Sequence, residues 1–293
     1  MRSKISFFAT LFLLLGFLHT NAQQGSIIND SIQSTVLNKT KNYCVYLPAK
    51  YGIDTTKTYP VIYLLHGLGA KPIDWETNGH LNKVMSEAIT AGEMPETIVI
   101  IPDGEATYYM NSYNNQYNYE DFFFKELLPY VEAKYHCGGA KTKRGVAGLS
   151  MGGFGTLNYS FHHPELFIAG SALSPAIRTD EEMMALSNKQ FAIRYKTAYG
   201  SPKTPEDRIN SFSNYNSPIY LAQHLKESDK ASVKLYIDIG DDDYLYKGNA
   251  TLHMVMKDLK IPHEYRVRNG GHTWDYWRTG LKDALLFITN NFE

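Results

Sequence analysis

Residues 144 to 164 read RGVAGLSMGGFGTLNYSFHHP: a strand-like run, one serine between glycines, and a helix-like run stopped near Pro164. No other stretch restricts the fold as much. A chain that turns from strand to helix within a few residues brings two backbones into contact, so side chains at Gly148 and Gly152 would collide across the turn. The same turn strains the backbone of Ser150 and pushes its hydroxyl out at the top of a sheet. The next amide, that of Met151, sits at a helix N-terminus and points at incoming negative charge.

The rest of the chain repeats this alternation. Residues 43 to 48 (YCVYLP), 60 to 67 (PVIYLLHG) and 97 to 104 (TIVIIPDG) read as strands, the last two as near-continuous apolar runs that stop at turns. Residues 119 to 135 carry apolar side chains at helical spacing. FIAGSALSP, SVKLYIDIG and HEYRVRNGG supply three more strands, and DYWRTGLKDALLFITNNF closes the chain as a helix. Strands alternating with helices imply a mainly parallel α/β sheet covered on both faces, with the ligand beyond the carboxyl ends of the strands. No linker or repeat divides residues 23 to 293, which are expected to form one domain. The polar stretch from 178 to 216, with Pro202 and Pro205, fits the rhythm poorly and reads as a lid-like insertion.

Composition narrows the class of function. The 293 residues are 43% hydrophobic and 20% charged, an ordinary globular balance. With 29 Lys and Arg against 30 Asp and Glu, no net field draws the chain to nucleic acid or an anionic membrane. At the N-terminus, Arg2 and Lys4 precede an apolar run from Ile5 to Leu18 and then Asn21-Ala22-Gln23. This pattern predicts a secretory signal cleaved after Ala22, with export to the periplasm or medium and no membrane span in the mature form. The apolar run is shorter than the roughly 20 residues that span a bilayer. Cys44 and Cys137 could pair in an oxidising compartment, but their spacing does not establish a disulfide.

A serine hydroxyl is a weak nucleophile near neutral pH and needs a base, itself oriented by an acid. Beyond Ser150 one strand runs into the sequence Asp241-Asp242-Asp243, and the next runs into Gly270-Gly271-His272. His66 belongs to an early His-Gly turn, His162 and His163 end a helix, and His224 and His253 fall in helical stretches; His272 alone follows a strand through two glycines and is the expected general base. Asp238 lies inside a strand pattern and reads as structural. Asp243 lies deeper in the loop and is favoured as the acid, with Asp241 and Asp242 as alternates. No partner cluster with metal spacing accompanies these aspartates, so no metal or cofactor is expected. An oxyanion hole needs a second donor near Met151, and the amide of Leu68, just past a buried strand, is the natural one.

At this point the residues resemble a known family. YLLHGLGAKPIDW, GLSMGGFGTLNYSFHHPELFIAGSALSP, IGDDDYLY and GGHTWDYW together are similar to the esterase D-like branch of the α/β-hydrolases, which includes feruloyl, acetylxylan and tributyrin esterases, S-formylglutathione hydrolase and mycolyltransferases. The resemblance runs from about Tyr43 to Phe292. It implies an α/β-hydrolase fold, Ser150 as nucleophile, His272 as base, and Asp243 as acid by the match of GDDDYLY to the family's pattern. It also implies the Leu68 and Met151 amides as the oxyanion hole.

The expected activity is hydrolysis of carboxylic esters, with feruloyl or acetyl groups on plant polysaccharide or oligosaccharide as the substrate class. An export signal argues against the cytosolic role of S-formylglutathione hydrolase. The stretch from 107 to 121, TYYMNSYNNQYNYED, is rich in tyrosine and asparagine and suits stacking on sugars or a phenolic acyl group. Tyr108, Tyr113 and Tyr117 are therefore expected to contact substrate, and Trp75 to wall the acyl pocket. Acyl transfer to a sugar, general short-chain ester hydrolysis, and an inactive carbohydrate-binding relative are the alternatives.

Overall fold

The computed structural model describes residues 23–293, so the expected signal and its cleavage after Ala22 lie outside the described residues. Its strands in chain order are β1 (Ser26–Ser34), β2 (Lys39–Leu47), β3 (Val61–Leu65), β4 (Ile98–Pro102), β5 (Arg144–Leu149), β6 (Ala169–Leu173), β7 (Lys234–Gly240) and β8 (Glu264–Arg268). They form one sheet in the order β1-β2-β4-β3-β5-β6-β7-β8. β1 and β2 are antiparallel to their neighbours, and every pairing from β4 to β8 is parallel.

The near-continuous apolar runs fall at the centre of this sheet. β3 and β4 are buried at every residue, as parallel strands with helices on both faces must be. Alternation then divides the core: Val61, Tyr63 and Leu65 face one cluster, and Ile62 and Leu64 face the other. The helix Met151–His162, the helical run over 119–135 and the helix Tyr246–Asp258 cover the first side. Leu81–Thr90 and Trp274–Thr289 cover the second. The run over 119–135 widens into a π turn at Phe123–Leu127, just before Pro129, which has no N–H to continue an α-helical ladder.

β1 is the strand that hydrophobic patterning does not reveal. SIINDSIQS carries only isoleucines as apolar residues and is mostly exposed, yet it pairs with β2 through all nine positions. Its anchor is polar: Asp30 accepts from Tyr43 at 2.9 Å and pairs with Lys134 at 2.6 Å.

The stretch over 178–216 is more helical than its polar composition suggests. Asp180–Ala185, Asn188–Tyr199 and Ser211–Tyr215 each begin with a capping box, on Thr179, Ser187 and Asn210. Reciprocal caps start these helices where the apolar pattern is weak. Arg208, 3% exposed, donates to the carbonyls of Met183, Met184 and Leu186, and so satisfies a helix end whose carbonyls lack intrahelical donors. Phe191, Tyr195 and Tyr199 bury the inner side of the insertion against the first core cluster.

Candidate active site

Ser150 stands between β5 and the helix Met151–His162 with φ 53° and ψ −115°, a conformation that L residues rarely adopt. Three backbone hydrogen bonds hold it there. Its N–H donates to Leu173 O at the end of β6, and its carbonyl accepts from Phe154 and Ala176, each at 2.9 Å. The flanking glycines are required by contact: a methyl group on Gly148 would lie 2.5 Å from the Gly152 carbonyl, and one on Gly152 would overlap Leu65 O.

His272 follows β8, and its Nε2 lies 2.8 Å from Ser150 Oγ. Its Nδ1 lies 2.8 Å from Asp243 Oδ2. With the proton on Nδ1, the imidazole donates to Asp243 and accepts from the serine hydroxyl. Asp243 is 1% exposed, and its second oxygen accepts the Leu245 N–H at 2.9 Å, so the carboxylate cannot rotate away without breaking a buried bond. The loops after β7 and β8 are joined through their backbones: Asp241 N–H donates to Arg268 O, and Asp242 N–H to Gly270 O. That joint sets the distance between acid and imidazole.

The other acids have different tasks. Asp241 accepts the Gly270 N–H. Asp242 is exposed and contributes backbone bonds to the joint. Asp238, fully buried, is held by Arg268 through two bonds of 2.8 and 3.1 Å, with hydroxyls of Tyr236 and Tyr276 around it, which makes it a structural ion pair between β7 and β8.

Leu68 follows the end of β3, where a Cβ on Gly67 would come within 3.5 Å of Ser150 Cβ, so its loop lies against the serine. Among the described residues no carbonyl accepts the Leu68 N–H. Met151 opens the adjacent helix. His66 braces this loop in a way the sequence did not signal beyond its His-Gly pair. It is fully buried, its Nε2 accepts from Gly104 N–H at 2.9 Å, its Nδ1 lies 2.8 Å from Gly67 O, and its carbonyl accepts the Tyr109 hydroxyl. Tyr244 and Trp277 are further neighbours missed from sequence, with rings 4.8 Å from that of His272.

The four aromatic residues expected to contact substrate are dispersed. Trp75 is fully buried, edge-on to Trp274 at 5.4 Å, and has no surface to offer a ligand. Tyr108, 3% exposed, stacks on Tyr195 at 5.1 Å inside the core. Tyr117 donates to Glu105 beside Lys39. Tyr113 alone presents its ring to solvent, 55% exposed, and with Phe191, Tyr199 and Arg208 lines a cavity of about 470 Å³. A narrower cleft is lined by Phe154, Ala176, Arg178, Tyr195 and Tyr199, and one of these, Ala176, donates its N–H to the Ser150 carbonyl. Among the described residues no three His, Cys, Asp or Glu side chains converge to hold a metal, and no helix is long and apolar enough to cross a membrane.

Comparison with known proteins gives the same outline. A family model described as a putative esterase matches residues 34–288. An acetyl esterase of Caldicellulosiruptor saccharolyticus is 25% identical over 90% of this chain and 98% of its own length. An esterase of Mycobacterium tuberculosis is 31% identical over 81% of this chain, a match that spans 54% of that protein. Among solved structures, a ferulic acid esterase superposes with a TM-score of 0.78 at 34% identity, covering 92% of this chain and 99% of its own. The sheet and its helices are those of the α/β-hydrolase esterases.

Proposed function

The chain belongs to the putative esterase family, and from that premise we propose that it is an exported serine esterase acting through an acyl-enzyme, with Ser150 as nucleophile, His272 as general base and Asp243 as the acid that orients it. The observation that carries this reading is the continuous chain of two 2.8 Å contacts from Ser150 Oγ through His272 to Asp243.

In the first half-reaction Ser150 Oγ attacks the ester carbonyl while its proton passes to His272 Nε2. Asp243 keeps the other imidazole proton on Nδ1 and stabilises the imidazolium that forms. The developing oxyanion is met by the Leu68 and Met151 amides, each donor of this kind being worth about 10²- to 10³-fold in kcat. The alcohol departs with the proton from Nε2, leaving Ser150 acylated. Water then enters, loses its proton to Nε2 and releases the acid. No cofactor takes part in either step.

The substrate class is an acylated carbohydrate carrying acetyl or feruloyl groups. Its support is the likeness to proteins named acetyl esterase and ferulic acid esterase, together with the exposed ring of Tyr113 at the edge of a cavity.

The test is turnover of 4-nitrophenyl acetate, 4-nitrophenyl butyrate, methyl ferulate and acetylated or feruloylated xylo-oligosaccharides by the mature protein, each beside Ser150→Ala. Serine-dependent hydrolysis, strongest on one of the sugar esters, is the expected result. Transfer of the acyl group to added sugar in preference to water would reassign the reaction as acyl transfer. Full activity in Ser150→Ala would overturn the mechanism.

A further inference from the structure

The seven described arginines divide into three kinds. Arg144, Arg266, Arg268 and Arg278 each face a carboxylate, on Glu132, Glu264, Asp238 and Asp275. Arg208 spends its guanidinium on backbone carbonyls and Asn188. Arg178 and Arg194 have no anionic partner among the described residues, although both are partly buried. Removing guanidinium surface from water without a counter-charge is unfavourable, so an unmatched pair in one place marks a site for an anion.

Both arginines converge on the catalytic mouth. Their guanidinium carbons lie 5.6 and 5.5 Å from the ring of Tyr244, and that ring is 4.8 Å from His272. Arg178 Nε donates to Tyr195 Oη at 3.2 Å, and Arg194 Nη1 to Tyr244 Oη at 3.4 Å. These bonds hold each fork from one side and leave other N–H donors uncommitted, since a guanidinium has five. Arg178 also lines the narrow cleft that includes Ala176, whose N–H is bonded to the Ser150 carbonyl. Asp180 lines the same cleft without pairing to it, and the nearby Asp241 and Asp243 are already committed, to Gly270 and His272. Tyr244 is 46% exposed, so the group these arginines await can arrive from solvent.

We propose that Arg178 and Arg194 form a carboxylate-recognition site beside Ser150, and that the preferred substrate is an ester bearing a second, negatively charged group. This deepens the esterase reading and rests on it. The carboxylate could belong to the alcohol side, as a uronate unit next to the acylated sugar, or to the acyl side, as in a hemiester of a dicarboxylic acid. Its recognition is the same in both: charge-assisted hydrogen bonds from two planar forks, next to a ring that orders them.

The experiment compares kcat/KM for matched charged and neutral esters: mono-4-nitrophenyl succinate against 4-nitrophenyl butyrate, and acetylated xylo-oligosaccharide with against without a glucuronate branch. Wild type is expected to favour the charged member of at least one pair, and which pair it is identifies the side that carries the charge. In Arg178→Met and Arg194→Met the charged-to-neutral ratio is expected to fall by about 10- to 100-fold, the range for a lost charged hydrogen bond. Arg194→Lys should restore part of that ratio, and 0.5 M NaCl should lower it in wild type. A wild-type ratio near one in both pairs, or a ratio unmoved by either substitution, overturns the proposal while serine-dependent turnover of neutral esters leaves the esterase reading intact. Binding of the glucuronate-bearing oligosaccharide to Ser150→Ala by calorimetry provides a readout independent of turnover. Where the glucuronate pair is the one wild type favours, equal affinity for the branched and unbranched sugars there also overturns it.

Discussion

Asp243 Oδ2 lies 2.8 Å from His272 Nδ1 while its other oxygen is bound to the Leu245 N–H, so one buried carboxylate fixes both the position and the tautomer of the imidazole. An amide at this position could present either its oxygen or its NH2 group to Nδ1 and would no longer enforce the proton on that atom. Asp243→Asn is therefore expected to lower kcat by about 10⁴-fold with little change in melting temperature. Asp241→Asn, which touches only Gly270 N–H, should leave kcat close to wild type. Ester turnover by the two purified variants checks the assignment, and equal losses would refute it.

The Ser150 turn depends on backbone contact that tolerates no side chain. A methyl group on Gly152 would overlap the Leu65 carbonyl at the end of β3. Both elements belong to the sheet and its covering helix, so neither can move freely. Gly152→Ala should destabilise the fold by about 3 kcal/mol or more, read as a shift in urea midpoint or as loss of soluble protein.

Glu120 is a further buried acid, shared by two histidines at 3.2 and 3.0 Å, outside the Ser150 site. Burial alone would raise its pKa, but the hydrogen bonds from His162 and His163 outweigh that and hold the carboxyl down from its ordinary 4.5 to about 2. A group depressed in the folded state contributes stability above its unfolded value and loses it as pH falls toward the folded one. Wild type should thus lose about 2 to 3 kcal/mol more than Glu120→Gln between pH 4.5 and pH 2. Unfolding curves of both proteins across that window provide the test, and parallel pH profiles would contradict it.

Cys44 and Cys137 are both buried and free, so the disulfide that their number permitted is not formed. Burial, with the charge of Asp103 nearby, pushes the Cys44 thiol up to about 11, and burial raises Cys137 as well. Thiolate is the reactive form, and neither residue supplies it near neutral pH. A thiol reagent should label neither cysteine in native protein and both after denaturation. Reductant should leave the melting temperature unchanged.

The elements legible from sequence were those whose information is local. β3 and β4 announced themselves as near-continuous apolar runs, and β5 with its elbow by glycines at fixed spacing. β1 was not legible, because a half-exposed edge strand buries few apolar side chains of its own, Ile32 chief among them, and is held largely by its partner's backbone and by Asp30. The helices of the insertion were obscured for a related reason: their starts are set by polar caps at Thr179, Ser187 and Asn210, and apolar periodicity records only the face that packs.

The sequence by itself determined the strained serine, the order of serine, acid and histidine along the chain, and the layered sheet, since steric contact between near neighbours and burial of apolar runs require no knowledge of distant residues. Tertiary structure decided which of three adjacent aspartates faces His272, because that depends on the backbone joint between the loops after β7 and β8. It also buried Trp75 and Tyr108, which their places in the sequence offered as ligand surfaces, and brought Arg178 and Arg194 from the insertion onto Tyr244. Such meetings join residues far apart in the chain, and their geometry is set by how the whole core packs.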